Sequence, residues 1–173
     1  NFECDKAIIT AGIWSKELML KLGLDIPLEA ERGYHVVYKN ASILPRNPMM
    51  MTIGKFGVTP MGSDLRCAGT VELGGIKLGP SKAPIKLLRR RVAEAFPKMY
   101  YDKTEEWFGF RPTAPDSLPL IGQLKESGVY TAFGHQHIGM TSGPKTGRLI
   151  ADIINHRSPN IDISVYDPNR YNL

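Results

Sequence analysis

The stretch Gly134–Arg148, which reads GHQHIGMTSGPKTGR, joins two segments with different hydrophobic patterns. Before it, Gly128–Phe133 is rich in β-branched and aromatic residues, which is typical of a strand. After it, the apolar residues of Leu149–Ile154 come in two pairs with a spacing of four, as on one face of a helix. The sequence therefore predicts a glycine-rich turn between a strand and a helix.

The start of this helix is the first candidate for a binding site. Pro144 suits the first helical position, with Ser142 or Thr141 as the N-cap. Backbone N–H groups at a helix start carry partial positive charge and favour the electron-rich edge of a ligand. A ligand-binding turn and a plain tight connection both agree with these residues.

The composition is that of an ordinary globular protein, with 42% hydrophobic and 23% charged residues in a chain of 173. No apolar run has the length of a membrane span, and no signal-peptide pattern is present. Cys4 and Cys67 lie far apart, which excludes a disulfide framework or a cysteine zinc site and fits a reducing compartment. The net charge of +5 comes largely from residues 82–91, where a solvated helix face is favoured over a nucleic-acid site.

The first 26 residues are predicted to form a strand followed by a helix. Lys6–Thr10 has the apolar character of a short strand, and Ser15 is placed to cap a helix that runs to about Leu22. Gly23 is well suited to end that helix. Trp14 is predicted to be a core aromatic residue.

The middle of the chain is predicted to be rich in β-strands, split by glycine and proline turn signals. The predicted strands are Gly33–Lys39, Met49–Thr52, Gly57–Met61, Leu65–Val71 and Ile76–Leu78. Their spacing suits hairpins and an antiparallel sheet.

A helix and a further strand follow. Pro84–Phe96 carries one apolar stripe at helical spacing, and Lys103–Arg111 resembles a strand. The prolines after Arg111 predict an extended, kinked crossing, and the polar residues 158–173 predict an extended tail.

Arg111 is the strongest candidate for a chemical role, because it lies among apolar and aromatic residues where a guanidinium is expensive to bury unpaired. Its fork matches a carboxylate with two parallel hydrogen bonds. The alternative is a salt bridge to Asp116 or Glu106. His135 and His137, two apart on an extended segment, would point the same way, but no third ligand with local spacing makes them a metal site.

Five segments in this order resemble the C-terminal portion of the D-amino-acid oxidase superfamily of FAD-dependent oxidoreductases. The resemblance is greatest to its bacterial D-amino-acid dehydrogenase and glycine oxidase-like members. The segments are Lys6–Ser15 (KAIITAGIWS), Glu31–Val36 (ERGYHV), Pro60–Gly75 (PMGSDLRCAGTVELGG), Gly109–Gly122 (GFRPTAPDSLPLIG) and Gly134–Arg148.

The resemblance implies an α+β fold with a mostly antiparallel substrate-domain sheet, flanking helices and a partial FAD-binding (Rossmann-like) βα portion. Residues 1–26 would belong to the FAD-binding domain and residues 27–110 to the β-rich substrate-binding domain. Residues 111–157 would return to the FAD-binding domain with the flavin-facing loop and terminal helix, and residues 158–173 would form a C-terminal tail.

The resemblance also implies FAD as cofactor, contacted by the first turn and by the glycine-rich stretch. The cofactor-binding candidates are Ala11, Gly12, Ile13, Gly134, His135, Ile138, Gly139, Met140 and Thr141. No Gly-x-Gly-x-x-Gly occurs in the chain, although a Rossmann-type site needs that loop to hold the pyrophosphate. We therefore expect a C-terminal fragment of a longer enzyme, whose missing N-terminal portion holds the main cofactor anchor.

Arg111 and His137 are the candidate catalytic and substrate-binding residues that the resemblance implies. Arg111 fits the arginine that grips the substrate carboxylate. His137 stands where glycine oxidases carry an arginine, which makes it a second, pH-dependent contact to substrate. Tyr34 and Tyr38 share one strand face, opposite His35, and are further substrate-binding candidates. The residues leave open which face lines the pocket and which faces the core.

The implied reaction is the oxidative deamination of D-amino acids, glycine or secondary amines by hydride transfer to the flavin, with oxygen or a quinone as electron acceptor. The expected location is cytoplasmic, or peripheral on the inner membrane, and no nucleic-acid partner or metal is expected. The alternative function is a non-enzymatic, β-rich binding or assembly module in which the histidines and Arg111 are structural. A distant third is a nucleic-acid binder that uses the basic helix.

The missing dinucleotide loop generates a prediction. The isolated 173-residue chain is expected to bind FAD weakly or not at all, because nothing in it replaces the pyrophosphate cradle. Flavin absorbance after gel filtration of the chain with excess FAD measures this. A tight, stoichiometric yellow complex would contradict it.

Overall fold

The structure is a computed structural model that describes residues 3–171. Residues up to Ala30, together with those from Arg111 onward, form one compact unit, and Glu31–Phe110 form the other. The boundaries predicted from the sequence fall after residues 26, 110 and 157. Predictions for residues 1, 2, 172 and 173 lie outside the described part of the chain.

The helices and strands alternate irregularly along the chain. In order they are β1 (Ala7–Ile9), α1 (Ser15–Lys21), β2 (Glu29–Tyr38), β3 (Met49–Met51), β4 (Phe56–Met61), β5 (Asp64–Leu73), α2 (Ala83–Ala95), β6 (Thr104–Thr113), β7 (Leu120–Gln123), β8 (Val129–Phe133) and α3 (Gly139–Ile154). Short 3₁₀ turns occur at Gly12–Trp14, Ser164–Tyr166 and Pro168–Tyr171. No helix within residues 3–171 combines the length and the apolar character that a membrane crossing requires.

The Glu31–Phe110 unit is built on a five-stranded antiparallel sheet with the strand order β3-β4-β5-β2-β6. Helix α2 covers one face of this sheet with the stripe Ile85, Leu88 and Val92, which the sequence predicted. Tyr34, Val36 and Tyr38 alternate along β2 and are all buried in this core. The alternation of strand residues therefore turns His35 to the other face.

That other face is only partly covered, and we call it the open face of the sheet. The register places Met50 beside Gly57, Gly57 beside Ala68, and Ala68 beside His35, so that these four form one row across four strands. The next row contains Thr59, Arg66 and Val37. All these residues except the exposed Met50 are half-buried.

The other unit contains a three-stranded sheet in which β8 pairs in parallel with β1 and antiparallel with β7. Leu149 and Ile150 of α3 pack against Ile121 and Tyr130 of this sheet, which confirms the predicted apolar face of that helix. The two sheets and their helices confirm the predicted α+β class. Strand β7 was not predicted, because Pro119 immediately before it indicated a continued extended crossing.

Two predictions for α1 are wrong. Ser15 is the first helical residue rather than the cap, and its hydroxyl is buried without a hydrogen-bond partner among the described residues. Trp14 occupies the N-cap position and is 54% exposed, so it is not a core residue. The end of the helix confirms the sequence, since Gly23 has a φ of +82° and Leu24 N–H bonds back to the Met19 carbonyl.

The predicted strand Ile76–Leu78 is a turn instead, and Arg32 explains why. The Arg32 side chain is buried, forms an ion pair with Glu72 at 2.7 Å and donates to the Gly75 and Gly79 carbonyls at 3.1 and 3.0 Å. It also donates to the Leu78 carbonyl. These carbonyls would pair with another strand in a sheet, but here they are held by one guanidinium.

The predicted extended tail folds back as two 3₁₀ turns over the described residues 158–171. Arg170 anchors it, because its guanidinium pairs with Asp116 at 2.8 and 3.3 Å and donates to the Leu118 carbonyl at 2.9 Å. Partial burial opposes ionisation of Asp116, but hydrogen bonds from Arg170 and from Leu118 N–H lower the pKa of this carboxyl to about 2. The tail is thus held by this ion pair together with apolar packing, because Ile163 and Tyr166 lie against the core of this unit and Pro168 is buried.

This ion pair predicts a pH-dependent stability. The pKa of Asp116 is lower in the folded than in the unfolded protein, so its contribution is fully present above about pH 4 and is lost as the pH falls toward 2. The urea midpoint of Asp116→Asn is expected to lie below that of the wild type at pH 6, and the difference is expected to disappear near pH 2.

The matched control is Asp25→Asn, because Asp25 is exposed and makes no side-chain hydrogen bond or ion pair within the described chain. Its effect on the urea midpoint should be small at every pH. A difference for Asp116→Asn that stays constant from pH 6 to pH 2 would show that the ion pair is not its source.

Candidate functional site

Helix α3 begins at Gly139, five residues earlier than the sequence predicted, with Ile138 at the N-cap. The first intrahelical bond runs from Ser142 N–H to the Ile138 carbonyl at 2.9 Å, and the Ser142 hydroxyl donates to the same carbonyl. Ser142 therefore cannot cap the helix. Pro144 lies inside the helix, where the bond that it cannot donate would have gone to the carbonyl of the exposed Met140.

Because α3 starts at Gly139, its first backbone N–H groups have no side-chain cap. No side chain caps the N-terminus of α3, and the N–H groups of Gly139, Met140 and Thr141 precede the first intrahelical bond. Ile138 is 50% and Met140 96% exposed, so apolar side chains flank these donors. The arrangement offers hydrogen-bond donors, partial positive charge and apolar contact together.

The turn before α3 is compact because of its backbone conformation. Gly134 has a φ of +88°, and a Cβ there would lie 3.3 Å from Leu120 and 3.4 Å from Pro119. Gln136 also has a positive φ, of +51°. The predicted extended segment from His135 to His137 is therefore a turn, and the two histidines do not lie on one strand face.

The two histidines have different surroundings. His135 Nε2 lies 2.9 Å from the hydroxyl of the buried Thr146, and burial lowers the pKa of His135. His137 is exposed and makes no side-chain hydrogen bond within the described chain. His135 thus ties the turn to α3, whereas the imidazole of His137 is available to a ligand. Within residues 3–171 no three His, Cys, Asp or Glu side chains are close enough to hold a metal.

Arg111 adjoins this turn through the backbone, since Gln136 N–H donates to the carbonyl of the next residue, Pro112, at 3.2 Å. Arg111 is half-buried and forms no hydrogen bond or ion pair with any residue from 3 to 171. Both partners of the alternative interpretation are occupied, because Asp116 pairs with Arg170, and Glu106 pairs with Arg89 at 2.8 Å. No ion pair joins Arg111 to Asp116 or to Glu106, so the structure does not support the alternative interpretation of Arg111 as a partner of either carboxylate.

The first predicted flavin contact is a 3₁₀ turn. Trp14 N–H donates to the Ala11 carbonyl at 3.1 Å, and Gly12 has a φ of +57°. A Cβ at Gly12 would meet no atom within 4 Å, so the space above this residue is open. Ile13 is buried beneath it. The surface of this turn at Gly12 is consequently backbone, which a planar ligand can approach closely.

The predicted substrate residues Tyr34 and Tyr38 lie on the face of the sheet that packs against α2. Tyr38 packs edge-to-face with Tyr101 at 4.9 Å, and burial raises the pKa of its hydroxyl. The Tyr34 hydroxyl donates to Glu72, and hydrogen bonds from Ser81, Tyr34 and Arg32 lower the pKa of Glu72 to about 2. Packing and hydrogen bonding account for both tyrosines.

Tyr34 also lines a cavity of about 550 Å³ between α2 and β6. Its other lining residues include Lys82, Lys86, Trp107 and Phe108. Neither Arg111 nor any residue of the glycine-rich turn lines it. The volume is typical of a small-molecule pocket, and Tyr34 is the one predicted site residue among its lining residues.

The residues at α3 and at the first turn fit the flavin that the resemblance implies. Two buried polar atoms there have no partner within the described chain, Gln136 Nε2 beside the uncapped helix and the Ser15 hydroxyl after the Gly12 turn. Unpaired buried donors are costly, and a ligand with carbonyl and ring-nitrogen acceptors would satisfy them. The sequence did not single out these two atoms for this role, because only the structure reveals that they lack partners.

Comparisons with known proteins agree with this fit. The family of FAD-dependent oxidoreductases designated DAO matches residues 1–153. D-amino-acid oxidase of Bradyrhizobium diazoefficiens is 38% identical over 173 residues, which cover 97% of this chain and 41% of that protein. Glycine oxidase of Pseudomonas aeruginosa is 32% identical over 167 residues, or 95% of this chain and 45% of that protein.

Among solved structures, glycine oxidase from Geobacillus kaustophilus superposes with a TM-score of 0.84 at 24% identity, and the match covers 98% of this chain and 46% of that one. This likeness shows a shared fold. The chain spans about two fifths of the length of the curated relatives that it matches. With its uncapped α3 and its match over residues 1–153, the chain belongs to the DAO family of FAD-dependent oxidoreductases.

Proposed function

We propose that this chain forms the substrate-binding and flavin-facing part of an FAD-dependent enzyme that oxidises D-amino acids, glycine or related secondary amines. The observation that carries the proposal is the half-buried Arg111 guanidinium, which has no carboxylate partner within residues 3–171 and adjoins the uncapped start of α3. The names of the relatives, D-amino-acid oxidase, D-amino acid dehydrogenase and glycine oxidase, support the same substrate class.

In this proposal Arg111 binds the carboxylate of the amino acid. Partial burial makes an unpaired guanidinium unfavourable. A carboxylate that forms two parallel hydrogen bonds with Arg111 therefore binds with a more favourable free energy than it would on an exposed arginine. Its position next to Pro112, which fixes φ, limits the freedom of the strand at this point. The substrate is thereby oriented as well as bound.

The start of α3 serves the cofactor. The uncapped N–H groups of Gly139, Met140 and Thr141 would donate hydrogen bonds to a bound flavin, and the partial positive charge of the helix start would favour negative charge on it. The exposed Ile138 and Met140 side chains would give apolar contact to it. Bound FAD supplies the redox chemistry, as acceptor of the hydride that leaves the substrate α-carbon.

The histidines have separate roles in this proposal. His135 holds the turn through Thr146, and its lowered pKa keeps the imidazole neutral at physiological pH. His137, exposed on the same turn, is a second contact to the substrate. The imine that is left after hydride transfer hydrolyses with one water to a 2-oxo acid and ammonia, or to a 2-oxo acid and a primary amine when the substrate is a secondary amine, so the protein needs no nucleophile for this step.

Anaerobic bleaching of the flavin tests the function. The full-length protein that contains this chain is mixed without oxygen with D-amino acids, glycine and sarcosine, one at a time. Loss of the oxidised flavin absorbance with at least one of them is expected. Bound flavin that no member of the panel bleaches would contradict the substrate class, and a protein that binds no flavin would favour the binding-module alternative.

The role of Arg111 predicts a kinetic effect. Arg111→Met in the full-length enzyme is expected to lower kcat/KM roughly 10- to 100-fold, mainly through a higher KM, because the carboxylate loses its charged partner. Arg111→Lys should give an intermediate value, because it keeps the charge and loses the fork. Steady-state kinetics with the best substrate of the panel measure both variants.

The matched control is Arg90→Met, because Arg90 is an exposed arginine of α2 whose ion pair with Glu94 is at the surface. Its kcat and KM should equal those of the wild type. If Arg111→Met also leaves both constants unchanged, Arg111 does not bind the substrate carboxylate.

A further inference from the structure

Arg66 on the open face of the sheet is another half-buried guanidinium without a carboxylate partner among residues 3–171. It lies half-buried on β5, where the register places Thr59 and Val37 directly across from it. Within residues 3–171 its one side-chain hydrogen bond is to His35 Nδ1, 3.2 Å from its Nη2, and it forms no ion pair. The positive charge is therefore partly removed from water without compensation.

His35 does not supply the missing negative charge. Since a guanidinium is only a donor, His35 Nδ1 must accept the bond, and its proton is then on Nε2. Burial and the charge of Arg66 lower the pKa of His35, so the imidazole stays neutral at physiological pH. Its Nε2–H is left as a second donor beside the guanidinium.

Trp107 fixes the orientation of this pair. Its indole stacks on the His35 ring with centroids 4.9 Å apart and planes inclined by 16°. The indole also lies over Gly109 on the same strand, where a Cβ would come within 2.1 Å of the ring. Because a ring cannot bend away from such a contact, Gly109 is required for the stack to exist.

The residues beside these donors are small or apolar. Gly57 and Ala68 lie next to His35 in the same row, and the Met50 methyl packs over Gly57, where a Cβ would lie 3.9 Å from Met50 Cε. None of them supplies a counter-charge. The group offers a planar fork, an N–H donor and an aromatic wall, which suit one carboxylate group.

We propose that Arg66, His35 and Trp107 form a carboxylate-binding site on the open face of the sheet. A single cation with planar donors favours a carboxylate over a phosphate, which would leave charge unpaired. The site is built from residues of the Glu31–Phe110 unit alone and does not depend on the proposed oxidation. The carboxylate that it binds is that of a free carboxylic acid.

Isothermal titration of the full-length protein with succinate tests the site, and succinamide is the uncharged control. A dissociation constant on the order of 1 mM is expected for succinate, with no binding of succinamide. Arg66→Met should weaken succinate binding roughly tenfold or more, and Arg66→Lys less. Gly109→Ala should also weaken it, since the added methyl displaces Trp107 from His35.

Two further variants assign the binding to this site. Arg46→Met removes an exposed arginine and should leave the affinity unchanged. Arg111→Met removes any binding of succinate at Arg111, so the binding that remains in this variant and is lost in Arg66→Met belongs to the site on the open face. Absence of succinate binding to the wild type, or binding that Arg111→Met abolishes and Arg66→Met does not, would overturn the proposal.

Kinetics then test whether the bound acid affects catalysis. Succinate is expected to change kcat with a neutral substrate, and Arg66→Met is expected to remove this effect. An active enzyme that binds succinate through Arg66 without any change in kcat would contradict a functional role of the site.

Discussion

The pairing of arginines with carboxylates of the chain itself determines which arginines can bind a ligand. Asp116 is taken by Arg170 and Glu106 by Arg89, so the half-buried Arg111 has no internal counter-charge among the described residues. Proteins rarely leave a half-buried guanidinium unpaired, because no interaction then offsets the free-energy cost of removing its charge from water. The tail that carries Arg170 lies outside the Arg111 site but affects which groups are available to Arg111. Its hold on Asp116 removes the nearest aspartate in the sequence from competition for Arg111.

The same logic separates three kinds of arginine in one chain. Arg32 is buried, and both of its terminal nitrogens are engaged with Glu72 and three carbonyls, which marks it as structural. Arg89 is paired at the surface, where an ion pair contributes little. Arg66 and Arg111 are half-buried and lack a carboxylate, and both are assigned to ligands here. Partial burial without a carboxylate partner distinguishes the last two from Arg32 and Arg89, and Arg91 of α2 shares it.

The spacing of apolar residues in the sequence predicted the elements whose formation depends on that spacing. The stripe of α2 and the strands of the antiparallel sheet follow from apolar spacing and turn residues, and they were found as predicted. The face on which Tyr34 and Tyr38 lie could not be predicted, because alternation fixes two faces without saying which one α2 will cover. The start of α3 was missed because Pro144 is the usual signal for a helix start, whereas the chain places it further inside. The missing partners of Gln136 and Ser15 depend on packing and leave no trace in the sequence.

The clamp of Arg32 on the 75–79 turn has a consequence for how this segment can evolve. The Arg32 guanidinium binds the carbonyls of Gly75, Leu78 and Gly79. These contacts depend on the conformation of the backbone and not on the side chains between the three residues. Substitutions at Ile76 and Lys77 should therefore accumulate freely among descendants. Insertion or deletion of a single residue would shift the carbonyls away from the Arg32 donors. The buried guanidinium would then have fewer hydrogen bonds to offset the cost of removing its charge from water. The segment is thus constrained in length and free in composition.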